Sequence, residues 1–433
     1  MAKKVIDRRN FLKISSLGLA GGYLTLKSGA ALAGMMGGGM GGGGGGGMGG
    51  GGVIDPPVGA RLADPVTMPF ISPGEINLEV KLSPISVNGT VANLLTYNGS
   101  YPAPTIRVKK GDKLRVNFKN ALPNTNSQNI LGFTQNITNL HTHGWHVSPD
   151  EPMDNVMRQF KPGQATGLDP TVNPYPPFEY DTSLQEAGTL CYYHPHIHGL
   201  TAEQVWGGLG GCLVTEDPTT LLSGYETHIL VLKDLTVSGG APAAYTSTME
   251  YMQGKEGNTV MVNGQVNPYL TARPGQVQRW RILNASNARF YKLSLANHTL
   301  QVVGADGGLL DKPYPQSYIL LSPGERVDVL VKVTDTTGTY KFLSLPYSRM
   351  GMMTSAQITL MTLKVSGTRA SDALPNNPIN PSAQRLDPNN LPNNQTIADQ
   401  KTFTLSMMHG RGYINGYDFD VMPYVANSKM DTY

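Results

Sequence analysis

The sequence predicts an all-β protein of tandem Greek-key sandwiches, two complete and a third only begun. Three observations lead there. Charged residues make up 15% of the 433, while Gly (51) and Pro (31) are abundant, a texture that excludes long helices and coiled coils. From Glu75 onward, short β-branched runs are punctuated by Gly, Pro and Asn, at 76–82, 105–108, 113–118, 228–232, 278–283 and 326–333. Several of these alternate apolar and polar side chains, as sandwich strands do. Finally, one block recurs. Pro104, Gly111, Arg115, Asn120 and Ala121 align without gaps with Pro268, Gly275, Arg279, Asn284 and Ala285, at a constant offset of 164. Each copy is preceded by Asn-Gly, at Asn98-Gly99 and Asn263-Gly264. Two homologous sandwiches of about 150 residues each account for the repeat.

Taken in order, the chain opens with a leader at 1–33. Arg8-Arg9, then Asn10-Phe11-Leu12-Lys13, an apolar run at 14–26 and Ala31-Leu32-Ala33 resemble a twin-arginine signal peptide with its cleavage site. The run is short and broken by Gly, so it predicts a cleaved leader and no stable membrane anchor. The predicted destination is the periplasm, or another location reached through the twin-arginine pathway. Residues 34–60 are assigned to a Gly/Met-rich linker. Between Gly34 and Gly52 stand 15 Gly and four Met, too little apolar mass for a core. The first sandwich is assigned to 68–218 and the second to 225–367, with a Pro- and Asn-rich linker at 368–400. A further Asn-Gly, Asn415-Gly416, follows the alternating run Phe403-Thr404-Leu405-Ser406-Met407. Residues 401–433 therefore read as the start of a third sandwich, too short for the ~100 residues that such a domain needs.

Charge excludes one class of partner. The formal net charge is +3, yet residues 1–33 hold six basic groups and one acidic, which leaves the body at −2. A mildly acidic body offers no electrostatic footprint for nucleic acid. Two cysteines exclude a disulfide scaffold. Cys191 and Cys212 fall on strands expected to be neighbours, and either a disulfide or two buried thiols fits that placement.

Six of the nine histidines form two clusters, both in the first copy: His141-Thr142-His143-Gly144-Trp145-His146 and His194-Pro195-His196-Ile197-His198-Gly199. A His-x-His pair on an extended segment puts two imidazoles about one strand period apart, on the same side. Neutral imidazole suits Cu, Zn, Fe and Ni. Two such pairs, each followed by Gly, predict a metal site.

These clusters resemble the first two copper motifs of the multicopper oxidases, nearest to the bacterial laccase-like and cuprous-oxidase branch. The matching segments are Asn139-Leu140-His141-Thr142-His143-Gly144 and Tyr192-Tyr193-His194-Pro195-His196-Ile197-His198-Gly199. Pro102-Ala103-Pro104-Thr105-Ile106-Arg107, the Gly-rich stretch after Gln204, and Ser322-Pro323-Gly324-Glu325-Arg326-Val327-Asp328 resemble further family signatures. The resemblance covers about residues 70–433. It implies tandem cupredoxin-like domains and copper as cofactor, with His141 on a type 2 copper and His143, His194 and His196 on a type 3 pair. By the same resemblance, Asp154 stands where the family places a carboxylate near the type 2 copper, read as a catalytic proton relay. An Asp in such a turn also caps backbone amides. His146 and His198 are read as outer supports of the ligands, and His228, His298 and His409 as structural. Met350-Gly351-Met352-Met353 resembles a methionine-rich loop that could dock Cu(I).

The departure from the family is as informative. The third-domain motifs His-Pro-x-His-x-His and His-Cys-His are absent, so this chain holds half of the trinuclear ligands, and the type 1 copper site would belong to a missing third domain. The implied activity is one-electron oxidation of a phenol or metal ion coupled to reduction of O2 to water. A copper-free cupredoxin scaffold that binds protein partners in the cell envelope is the rival reading. A two-domain copper oxidase or nitrite reductase would need a Cys-bearing type 1 motif, and neither Cys191 nor Cys212 has the neighbouring His for one.

Overall fold

The structure, a computed structural model, describes residues 52–167, 175–216, 222–348, 354–376, 378–381, 383, 402–408 and 411–418. The leader, the Gly-rich stretch through residue 51, the methionine-rich loop, His409 and most of the Pro- and Asn-rich linker lie outside the described residues. Two units are distinguished, Gly50–Ala383 and a second one formed by Met1–Gly49 with Gln384–Tyr433.

Within the larger unit, β1 (Val53–Ile54) comes first. β2 (Glu75–Val87), β3 (Thr90–Tyr97), β4 (Ile106–Val108), β5 (Lys113–Asn120), β6 (His141–His143), β7 (Phe178–Asp181), β8 (Leu190–His194) and β9 (Gly211–Thr215) then build the first sandwich. Its sheets run β3-β2-β5-β7 and β4-β9-β8-β6. β5 shows why the local pattern makes a strand: Leu114, Val116 and Phe118 alternate inward onto Ile76, Leu78 and Phe160, while the intervening residues face out.

The second sandwich is built from β10 (Glu226–Leu235), β11 (Val237–Ser238), β12 (Ala241–Pro242), β13 (Thr259–Val262), β14 (Tyr269–Ala272), β15 (Val277–Asn284), β16 (Tyr291–Leu295), β17 (Leu300–Ala305), β18 (Gly308–Gln316), β19 (Ile319–Leu321), β20 (Arg326–Lys332), β21 (Gly338–Leu345) and β22 (Gln357–Val365). One sheet runs β1-β22-β21-β16-β19 with β14 also on β22, the other β13-β10-β15-β20-β17-β18, and β11 and β12 form a ribbon. β5 and β15 are related by the sequence offset, and each pairs parallel to the strand that opens its copy, β2 or β10. Asn120 and Asn284 end these strands in the same way. Each accepts the N–H two residues on, from Leu122 or Ser286, and donates to two loop carbonyls.

The smaller unit contains the antiparallel strands β23 (Leu405–Met408), β24 (Arg411–Ile414) and β25 (Tyr417–Asp418). The Asn-Gly pairs at 98, 263 and 415 adopt one conformation, shared by Asn88-Gly89 between β2 and β3: Asn98, Asn263 and Asn415 at φ 53°, 51° and 55°, followed by Gly99, Gly264 and Gly416 at 77°, 75° and 81°. Two successive positive φ values define the type I′ turn, which Asn-Gly forms with least strain. In the turns at 98, 263 and 415 the Asn Oδ1 accepts a backbone N–H from the partner segment, that of Glu79, Val231 or Thr404, at 2.7 Å. The turn at Asn415-Gly416 after β24 thus repeats the turns that follow β3 and β13.

One expectation changes, and one open alternative is decided. Residues 53–60 were assigned to the linker, but Val53 and Ile54 pair with Gln357 and Ile358, and Gly59 donates to Asn267 O. Arg61 and Asp64 continue this strap along the second sandwich before Thr67 bridges to Thr105 in the first. A strap that completes a sheet edge buries its backbone polar groups in hydrogen bonds, which a Gly-rich tether does not. The cysteines are both free and buried. Their register explains it: Cys191 lies opposite Leu213, and Cys212 opposite Tyr192, so the two thiols leave the sheet on opposite faces. Among the described residues, no helix is long and apolar enough to cross a membrane.

Candidate metal centre

β6 and β8 run antiparallel, with His141 opposite His194 and His143 opposite Tyr192. Alternation puts these four side chains on one face, turned away from the first core. On that face Leu190 and Tyr192 pack with Ile229, Val231 and Leu283 of the second sandwich. One ring nitrogen from each of His141, His143 and His194 lies within 4.8 Å of the others. His143 Nδ1 and His194 Nε2 are 3.3 Å apart. His196 stands beyond the end of β8. Its ring lies edge-on to His141 at 5.0 Å, and its N–H donates to Asn139 Oδ1 at 2.6 Å. Asn139 is held in turn by its own bond to Val156 O. The structure therefore brings together all four histidines that the pattern singled out.

Burial sets their charge. It is the first cause holding His194 well below the ordinary imidazole range, with His141 next. Burial also brings His143 down to about 4, aided by the Arg326 charge. His196 is lowered by burial and then by His141. A lowered imidazole pKa keeps the ring neutral at pH 7, with a lone pair free for a metal. A set of neutral, clustered imidazoles fits copper.

Asp154 is buried beside this cluster. Its Oδ2 sits 2.7 Å from His141 Nδ1, and its Oδ1 accepts the Thr142 N–H at 2.8 Å. This orients the His141 ring and leaves Nε2 as the nitrogen that Asp154 does not engage. Replacement by Asn removes the anionic acceptor at nearly constant shape. We expect Asp154→Asn to weaken copper binding about 10–100-fold with the fold intact, read by competition titration against a chelator. Unchanged affinity would remove this role from Asp154.

The flanking histidines divide. The His198 ring lies 6.3 Å from that of His196. His146 is exposed, and it is its backbone that exchanges hydrogen bonds with the Gln185 amide, so its placement as an outer support is corrected. The ring is turned outward because Trp145, the residue before it, takes the buried position. His228 bonds Asp64, and His298 bonds Ala296 O and the Thr334 N–H, as structural histidines do. Sequence reasoning missed Asn139 as a support, and it missed Gly324 and Arg326 as neighbours of the cluster. The only signal for the last two was their membership of the segment 322–328 that resembles a family signature.

A tandem β-sandwich with paired imidazoles facing a second domain defines a copper-site protein of the cupredoxin type. Family models described as "Multicopper oxidase" match residues 79–220 and 223–367, about two thirds of the sequence. The chain belongs to the multicopper oxidase family. It is 34% identical over 252 residues to the multicopper oxidase mco of Staphylococcus aureus, covering 57% of this chain and 50% of that one. It is 32% identical over 272 residues to the laccase of Bacillus subtilis, covering 56% and 51%. It is also 31% identical over 301 residues to the cell division protein FtsP of Xenorhabdus nematophila, covering 64% and 57%. A solved multicopper oxidase from Campylobacter jejuni, described as a metallo-oxidase, superimposes with a TM-score of 0.64 at 27% identity, covering 77% of this chain and 66% of that one. The chain thus spans about half the length of the curated relatives it matches.

Proposed function

We propose that this chain is the copper-binding portion of an exported oxidase that couples one-electron oxidation of a phenol or metal ion to reduction of O2 to water. The observation behind this reading is the convergence of His141, His143, His194 and His196 on one site at the face between the sandwiches. In this reading His141 holds a type 2 copper, and His143, His194 and His196 hold a type 3 pair. Copper supplies the one-electron chemistry when bound. The protein's own contribution is geometric and electrostatic. The β6–β8 register fixes the ring spacing, Asp154 orients His141, and Asn139 anchors the backbone at His196. Asp154, in contact with His141 and shielded from bulk water, is also the group placed to hold a proton beside the site.

Copper titration of the purified chain tests this reading. Near-stoichiometric tight binding supports it. A chain that binds none would overturn it and leave the copper-free scaffold, which the FtsP similarity favours and which would bind protein partners. Oxygen uptake is a separate readout. The sequence contains no His-Cys-His, so oxidase turnover is expected only when the chain is joined to a domain that carries a Cys-centred copper. Export through the twin-arginine pathway to the periplasm belongs to the same proposal. Replacing Arg8 and Arg9 with Lys is expected to leave precursor in the cytoplasm, read by cell fractionation. Normal export of that variant would sink the twin-arginine assignment.

A further inference from the structure

We propose that Arg326 of the second sandwich is a positioning residue for the metal centre of the first, acting by pressing the turn at Gly324 against His143. This inference rests on the copper reading above, but it stands on geometry of its own. Arg326 opens β20, and its side chain is 3% exposed. Its Nε crosses to the first sandwich and donates to Leu190 O at 3.1 Å, in the strand that carries His194. Its Nη1 donates to Gly324 O at 3.0 Å, and Asp306 holds Nη1 from the other side at 2.9 Å. One guanidinium thus ties together β8, the Gly324 turn and the Asp306 loop.

That turn and the guanidinium leave no slack around the cluster. A Cβ placed on Gly324 would stand 3.0 Å from His143 Cε1. A Cβ on Gly144, the residue after His143, would stand 2.3 Å from Arg326 Nη2. Both glycines have positive φ, 79° and 94°, so each position combines an unusual backbone with a close approach. His143 is therefore enclosed between its own following turn and a turn of the other sandwich, and Arg326 touches both. Lysine cannot reproduce this, because a single ammonium lacks the planar fork that reaches several acceptors at once.

A residue that merely glues the two sandwiches would act differently from one that positions His143, and Arg281 is the control. It is also a buried arginine of the second sandwich, donating to Gly188 O of the first at 2.8 Å. The experiment compares Arg326→Lys with Arg281→Lys in the full chain. It uses Cu(II) affinity, the Cu(II) EPR spectrum, and, without metal, the nuclear Overhauser contact between His143 Hε1 and Gly324 Hα. We expect Arg326→Lys to lose the Overhauser contact, to bind copper about tenfold more weakly and to alter the EPR spectrum, the scale seen when outer supports of metal ligands are changed. Arg281→Lys is expected to keep all three. Should Arg326→Lys fail to fold, Asp306→Asn loosens the same guanidinium, and it is expected to shift the readouts in the same direction by less. The inference is overturned if Arg326→Lys retains the contact, or if Arg281→Lys changes the readouts equally. A parent chain that binds no copper would refute the copper reading alone, because the Overhauser comparison still decides the positioning role.

Discussion

A chain carrying His143→Ala together with His196→Ala is expected to lose more than about 100-fold in copper affinity while remaining folded. The basis for that size is that removing even an outer partner of a ligand costs about 10–100-fold, and here two imidazoles of the cluster itself are deleted. The remaining donors, His141 and His194, face each other across the β6–β8 pair but offer only one ring each. Folding should tolerate the change, because His143 is half-buried, His196 is exposed, and neither belongs to the apolar core of the first sandwich. Equilibrium dialysis with copper analysis, alongside a thermal melt of the metal-free chain, separates the two effects. A double variant that binds copper like the parent would refute the site, and one that unfolds would show the histidines to be structural.

Asp328→Ala is expected to destabilise the larger unit by about 3–5 kcal/mol, the range for removing one partner of a buried ion pair. Arg279 Nε donates to both Asp328 oxygens, at 2.9 and 3.1 Å, and Arg281 Nε lies 3.3 Å from Oδ2. The side chains are 1%, 3% and 6% exposed for Arg279, Arg281 and Asp328. Alanine would leave two guanidiniums sealed between the sandwiches without their carboxylate. Urea unfolding measures the loss, and a midpoint equal to the parent's would mean that water reaches the pair. Replacing Arg279, Arg281 and Asp328 together by apolar residues should cost much less than Asp328→Ala alone, because neither guanidinium is then left buried without that carboxylate.

These two sites also mark where sequence reading ends. Arg115 and Arg279 occupy the same position of the repeat, yet Arg115 is only half-buried and paired to Glu179, whereas Arg279 is sealed on Asp328. Local sequence assigned both to alternating strands with one solvent face. β15 instead has all eight residues buried: its inner face fills the second core, and its outer face is covered by Leu190 and Tyr192 of the first sandwich at Leu283 and by Leu222 and Ile379 at Val277. Which face a strand shows to solvent is a property of what packs on it, and no period-two pattern records a neighbouring domain.

The sequence by itself determined the repeat, the turns and which histidines cluster. Asn-Gly at residues 98, 263 and 415 is determining because it forms the type I′ turn with least strain, and all three copies adopt it. The four histidines were legible because a His-x-His pair on an extended chain has one geometry, set by the strand period. Tertiary structure alone decided the rest. It turned residues 53–60 from linker into strap, because a free sheet edge on β22 accepts them. It sent Cys191 and Cys212 to opposite faces, because their strands pair one residue out of step. It also brought Arg326 to His143 across some 180 residues of chain, because the contact exists only where two separately folded sheets meet.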